Sequence, residues 1–154
     1  MAHIHEKIDF TASIYIVRDN TILLHRHKRL GIWLAPGGHV ELDEDPTQAA
    51  IREAKEETGL DVDLVGESRE YDSIYGARDL VRPRFLNRHF YDEARTHEHV
   101  DLAFLARAPK GEARHEEAGK EIRWFTKAEL ESGEYDIVAD VRHHALVALE
   151  ELAS

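Results

Sequence analysis

Between Pro36-Gly37-Gly38 and Gly59 the sequence punctuates one helix so firmly that any fold must be built around it. Asp45 is suited to cap the helix, and Pro46 to its first position, where a missing N–H costs nothing. Good helix formers then run through Thr58, and Gly59 stands where the chain must turn left-handed to stop. The spacing predicts a helix over 46–58, about three turns long. The Gly-Gly step ahead of it breaks regular structure and lets the backbone approach a ligand.

Around this helix the chain reads mostly as strands. Residues 10–17 are rich in strand formers, and Asp19-Asn20 separates them from Ile22-Leu23-Leu24, which predicts a hairpin. Trp33-Leu34-Ala35 makes a short strand, and 62–65, 67–75, 84–91, 100–108 and 121–125 read as further strands. Thr126 caps a short helical turn through Leu130. From Asp136 onward, Ile137, Val141, Ala145, Val147, Ala148 and Leu152 give a terminal helix one apolar face. There is no repeat and no linker, so the 154 residues are expected to form a single domain, 1–154. Many strands with one internal and one terminal helix predict an α+β fold, specifically an α/β/α sandwich on a mixed central β-sheet.

Charge narrows the chemistry. The chain has no cysteine, which removes disulfides, thiolate zinc sites and cysteine nucleophiles. No uncharged apolar run is long enough to span a membrane, and the N-terminus lacks the pattern of a signal peptide, so a cytoplasmic location is expected. A net charge of -11 argues against binding nucleic-acid backbone or anionic membrane. A phosphate-bearing small molecule would then need divalent cations to bridge carboxylate and phosphate.

The helix supplies the carboxylates for that bridge. Glu53, Glu56 and Glu57, at spacings of three and four, project within one arc of about 100°. Like charges so placed cost a few tenths of a kcal/mol per pair unless solvent or a cation offsets them. A solvated acidic face is the ordinary explanation of such a helix. Here it is outweighed by the Gly-Gly loop, by Arg52 beside the acids, and by the acidic run Glu41, Asp43, Glu44 and Asp45 ahead of them. Magnesium or manganese suits oxygen ligands of this kind.

Taken together, Gly38, Glu44, Arg52, Glu53, Ala54, Glu56, Glu57, Gly59 and Leu60 resemble the signature box of the Nudix hydrolases, with every fixed position filled and a small residue, Ala54, at one apolar position. The approach Trp33-Leu34-Ala35-Pro36-Gly37 and the later Trp124-Phe125-Thr126 also look like that family. The resemblance implies a metal-dependent hydrolase that splits a phosphoanhydride bond in a nucleoside diphosphate derivative, with a Nudix-type sandwich as its fold. It implies Glu53, Glu56 and Glu57 as ligands of Mg2+ or Mn2+, a carbonyl of Gly37 or Gly38 as a further metal ligand, and Arg52 orienting the carboxylates. Glu44 would support the loop. The family places its general base variably, so Glu56, Glu57 and Glu98, in Thr96-His97-Glu98-His99, are the candidates, an exposed loop acid being the plainer reading of Glu98.

Substrate class is less constrained. Tyr75 stands sixteen residues past Gly59, where the resemblance associates tyrosine with dinucleoside polyphosphate hydrolases and proline with ADP-ribose pyrophosphatases; the nearest later proline is Pro83. Nucleoside triphosphates stay equally open, with ADP-ribose or a nucleotide sugar as the alternative. Arg26, Lys28 and Arg29 are placed to meet terminal phosphates, although a solvated hairpin end explains them as well. Trp33, Tyr75, Phe85 and Trp124 are aromatic enough to stack on a base but are expected in the core. His3-His5, His25-His27 and His97-His99 alternate as strand neighbours on one face do; a zinc site there lacks a third ligand fixed by spacing. The fold's isoprenoid isomerase branch needs a cysteine the chain lacks, and messenger RNA decapping would want a basic surface. A non-catalytic nucleotide-binding module would not need three juxtaposed acids. A homodimer is compatible with such a fold.

Overall fold

The computed structural model describes residues 6–117 and 119–154. The expected pair His3-His5 lies outside the described residues. Strand β1 (Ile8–Arg18) turns at Asp19-Asn20 into β2 (Thr21–Arg26), and β3 (Trp33–Leu34) and β4 (Gly37–His39) lead to helix α1 (Pro46–Thr58). Short strands β5 (Asp63–Leu64), β6 (Arg69–Glu70) and β7 (Arg78–Asp79) follow. The long β8 (Phe85–Phe90) and β9 (Glu98–Arg107) come next, then β10 (Ile122–Thr126), α2 (Lys127–Glu131) and α3 (Ala139–Leu152).

The main sheet runs β10-β2-β1-β9-β5, with β3 beside β2, β4 beside β1 and β8 beside β9. Among the named strands of the described residues β1 and β9 form the parallel pair, Ile8 opposite Glu98 through Val17 opposite Arg107, so the sheet is mixed, as expected. Because successive side chains point to opposite faces, β1 feeds two cores. Ala12, Ile14 and Ile16 join Leu23, Phe104 and Leu60 beneath α1. Tyr15 and Val17 join Leu105, Phe125, Val141, Ala145 and Leu149 beneath α3. A strand covered on both faces needs the near-continuous apolar run this one has.

Helix α1 ends as its sequence predicts. The Asp45 carboxylate accepts from the Gln48 N–H while the Gln48 side chain accepts from the Asp45 N–H, and Gly59 closes at φ 73°. Ala49, Ala50 and Ala54 are fully buried. Three small side chains on one stripe let the helix lie close on β1 and β4, which sets its carboxylates against the Gly37-Gly38 backbone.

Four expectations change. Gly37 and Gly38, expected to break regular structure as a tight loop, instead pair with Ser13 and Ala12 as strand β4, the missing side chains letting this strand close on β1. The strand expected over 67–75 is instead β6 and a turn leading to β7, and the pair forms its own two-stranded sheet. The strand over 62–65 contracts to β5. The terminal helix begins at Ala139 and not at Asp136, because the chain there is held extended: the Trp33 N–H donates to the Asp136 carbonyl at 2.9 Å, and Ile137 bridges Trp33. Among the described residues no helix is long and apolar enough to cross a membrane.

Candidate active site

Strand β4 lies antiparallel to β1, with Gly37 opposite Ser13 and Gly38 opposite Ala12. Neither position has room for a side chain. A Cβ on Gly37 would run into the carbonyl of Ala12 and come within 2.8 Å of the Ser13 Cα; one on Gly38 would run into the Glu53 carboxylate, whose Cδ lies 2.6 Å away. The second glycine therefore opens a cradle that the Glu53 carboxylate fills. The Gly37 N–H donates to Glu57 Oε2 at 3.0 Å, so the same strand also fixes a second box carboxylate.

Arg52 binds the group together. Its Nε and Nη2 donate to the two oxygens of Glu44 at 3.0 and 2.6 Å. Nη1 reaches Glu53 at 2.9 Å and Glu56 at 3.2 Å, and Nη2 also donates to the His39 carbonyl at 3.0 Å. Glu44 is thus saturated by the guanidinium and by the Glu41 N–H, and Arg52 holds its carboxyl below the usual range, which fits a loop-supporting role. The planar fork is what permits this many simultaneous bonds. Arg52→Lys is expected to keep the helix but weaken divalent-ion binding about 10–100-fold, as loss of groups that orient ligands typically does. Manganese titration followed by electron paramagnetic resonance reads this directly.

Arg52 offers one positive charge to Glu44, Glu53 and Glu56, and Glu57 is left with a backbone amide. Burial pushes the Glu57 carboxyl up from 4.5 to about 7 and raises Glu53 as well, where Arg52 opposes the shift. Between those two pH values the folded, metal-free chain holds a proton on Glu57 that the unfolded chain releases. Stability from this group is therefore present below pH 4.5 and lost as pH rises through 7, by on the order of 3 kcal/mol at most. Thermal melts in chelator at pH 5 and pH 8 should show wild type losing more on this interval than Glu57→Gln.

Two histidines flank Glu57 that no motif in the sequence points to in that role. His25, on β2, places Nε2 3.7 Å from Glu57 Oε2, and His115 comes from the loop between β9 and β10; one ligand atom from each of the three lies within 4.8 Å of the others. Burial, with Lys120 nearby, lowers His25 to about 4, so it is neutral at ordinary pH. His115 stands ninety residues from His25 in the chain, and only the sheet order brings them together.

The other expected site residues lie apart from this group. Glu98 is level with Ile8 of β1 while Gly38 is level with Ala12. Four residues of strand put it about 13 Å farther along. Both its oxygens are taken by Arg88, at 2.6 and 2.8 Å. Arg26 pairs with Glu121 at 3.1 Å and donates to the Gly31 carbonyl, and Arg29 lies in the exposed 27–31 turn. Tyr75, expected in the core, is instead 89% exposed at the β6–β7 turn, where no sheet face covers it. Trp33 packs edge-on against Phe125 in the core.

Three carboxylates, a guanidinium clamp and a glycine strand on one side of a sandwich can be set against known proteins. The family model for the NUDIX domain matches residues 8–144. A NUDIX family hydrolase from Clostridium perfringens superposes with a TM-score of 0.81 at 30% identity, covering 93% of this chain and 97% of that one. A Lactococcus lactis protein named as a probable DHNTP pyrophosphohydrolase is 28% identical over 110 residues, 71% of this chain and 60% of its own length. A Xenopus laevis m7GpppN-mRNA hydrolase is 46% identical over 48 residues, 29% of this chain and 16% of its own length.

Proposed function

The chain belongs to the NUDIX family, and from that premise we propose that it is a metal-dependent hydrolase of a phosphoanhydride in a nucleoside diphosphate-linked small molecule. The observation that carries this is the convergence of Glu53 and Glu57 on the Gly37-Gly38 strand beside Glu56, with a single guanidinium to offset three acids. Crowded, partly buried carboxylates are costly alone and suit a hard divalent ion, Mg2+ or Mn2+.

Glu53 and Glu57 would hold the ion with Glu56, and of the two glycines Gly37 is the one whose backbone faces away from β1 to offer a carbonyl, since Gly38 pairs with Ala12 in the ladder. When bound, such an ion neutralises phosphate charge and makes a coordinated water more acidic. Glu56, whose side chain is half exposed, accepts the proton of the attacking water. The water oxygen bonds to one phosphorus as the bond from that phosphorus to the bridging oxygen breaks, giving a nucleotide and a second phosphate-bearing product. Arg52 keeps Glu53 and Glu56 in register during the step, and the Gly37 N–H keeps Glu57.

Nucleoside triphosphates and dinucleoside polyphosphates are the favoured substrates, with ADP-ribose and nucleotide sugars next. Tyr75 supports dinucleoside polyphosphates, and the lack of a proline at its position places ADP-ribose behind them. A panel of these compounds, each with magnesium, manganese or chelator, tests the reading. Metal-dependent release of phosphate or nucleotide from one class establishes it, whereas tight binding without turnover of any member would replace it with a binding role.

A further inference from the structure

Behind the Gly37-Gly38 strand, on the α3 face of the sheet, a second set of ligand-bearing side chains converges. Asp9 of β1 is 1% exposed. Its Oδ2 lies 3.2 Å from His39 Nε2 and 3.0 Å from His97 Nε2. His39 follows Gly38 on β4, and His99, the second residue of β9, stands in register opposite Asp9. Asp9, His39 and His99 each bring one ligand atom to within 4.8 Å of the other two. The rings of His39 and His99 are 5.2 Å apart and meet edge to face.

We propose that Asp9, His39 and His99 form a structural binding site for a borderline divalent transition ion, zinc before all others, distinct from the carboxylate site of α1. A carboxylate this deeply buried needs a positive partner, and the groups that converge on it are imidazoles, which suit zinc and its neighbours and not magnesium. Two imidazoles and a carboxylate supply three of the four positions zinc takes, leaving one for water or another donor. His97 positions the carboxylate: its Nε2 meets Asp9 Oδ2, and its Nδ1 lies 3.1 Å from the Glu6 carbonyl. The ion would clip together β1, β4 and β9. Since the His39 carbonyl also accepts from Arg52, the clip bears on the strand that carries Gly37 and Gly38.

The test is titration of metal-free protein with Zn2+ against a chromophoric zinc chelator, with excess Mg2+ present to occupy the carboxylate site. One equivalent of tightly held zinc is expected, with a rise in Tm of several degrees. His99→Gln and Asp9→Asn should each weaken that equivalent by about 100-fold or more. His39→Gln repeats the test on a less buried ligand should Asp9→Asn fail to fold. His115→Gln, which alters the histidines beside Glu57, should keep it. Zinc affinity unchanged in His99→Gln and His39→Gln, loss of the tight equivalent in His115→Gln, or no binding tighter than about 10 µM would each overturn the site. None of these readouts depends on turnover, so the hydrolase reading and this one can fail separately.

Discussion

Glu57→Gln is expected to lower kcat on the order of 10^3-fold or more, with the fold intact. The carboxylate is wedged between the Gly37 N–H, at 3.0 Å, and His25, at 3.7 Å. An amide of the same shape still fills the space, and its oxygen can still accept from Gly37. What it removes is the negative charge that a divalent ion needs in a site where burial already disfavours ionisation. Because the wild-type charge is costly without metal, the variant should melt no lower than wild type in chelator at pH 8. Circular dichroism melts alongside steady-state rates separate the two effects. A variant that unfolds would place Glu57 in the scaffold, and one that turns over at wild-type rate would remove it from the chemistry.

The second large effect is on stability. Gly37→Ala should destabilise the protein by about 2–4 kcal/mol, a fall in Tm of roughly 5–15 °C. The added Cβ meets backbone and not a movable side chain: the Ala12 carbonyl and the Ser13 Cα at 2.8 Å, both on the central strand β1. That strand is buried on both faces, so it has nowhere to move. Gly38→Ala makes a useful contrast, since its Cβ meets the end of the Glu53 side chain, which can swing away. The first substitution should show mainly in melts and the second mainly in metal binding and rate.

The parts of this architecture that could be read from sequence are those encoded locally. Asp45, Pro46 and Gly59 fix both ends of α1 because capping and left-handed closure depend on residues within one turn. The two-faced apolar run of β1 marks a central strand for the same reason. Residues 67–79 were harder because their side chains are largely exposed and carry no buried face to set a period, so a strand was expected where a turn occurs, with Tyr75 at its tip. The offset of Glu98 from the carboxylates follows from the β1–β9 register, a pairing across ninety residues that no local pattern specifies. The same pairing sets His99 opposite Asp9, the β1–β4 pairing adds His39, and sheet order brings His25 and His115 to Glu57. The box named its own carboxylates; the residues around them had to be found in space.

Hydrolysis of a nucleoside triphosphate and of a dinucleoside polyphosphate in 18O-labelled water, with Mg2+ or with chelator, decides whether metal-dependent attack of water on phosphorus takes place at this site. Side-by-side runs of wild type and Glu57→Gln complete the comparison. One labelled oxygen is expected on a phosphorus of the product, formed by wild type with the metal and in neither control. Release of product at the same rate in chelator, or by Glu57→Gln, would contradict it.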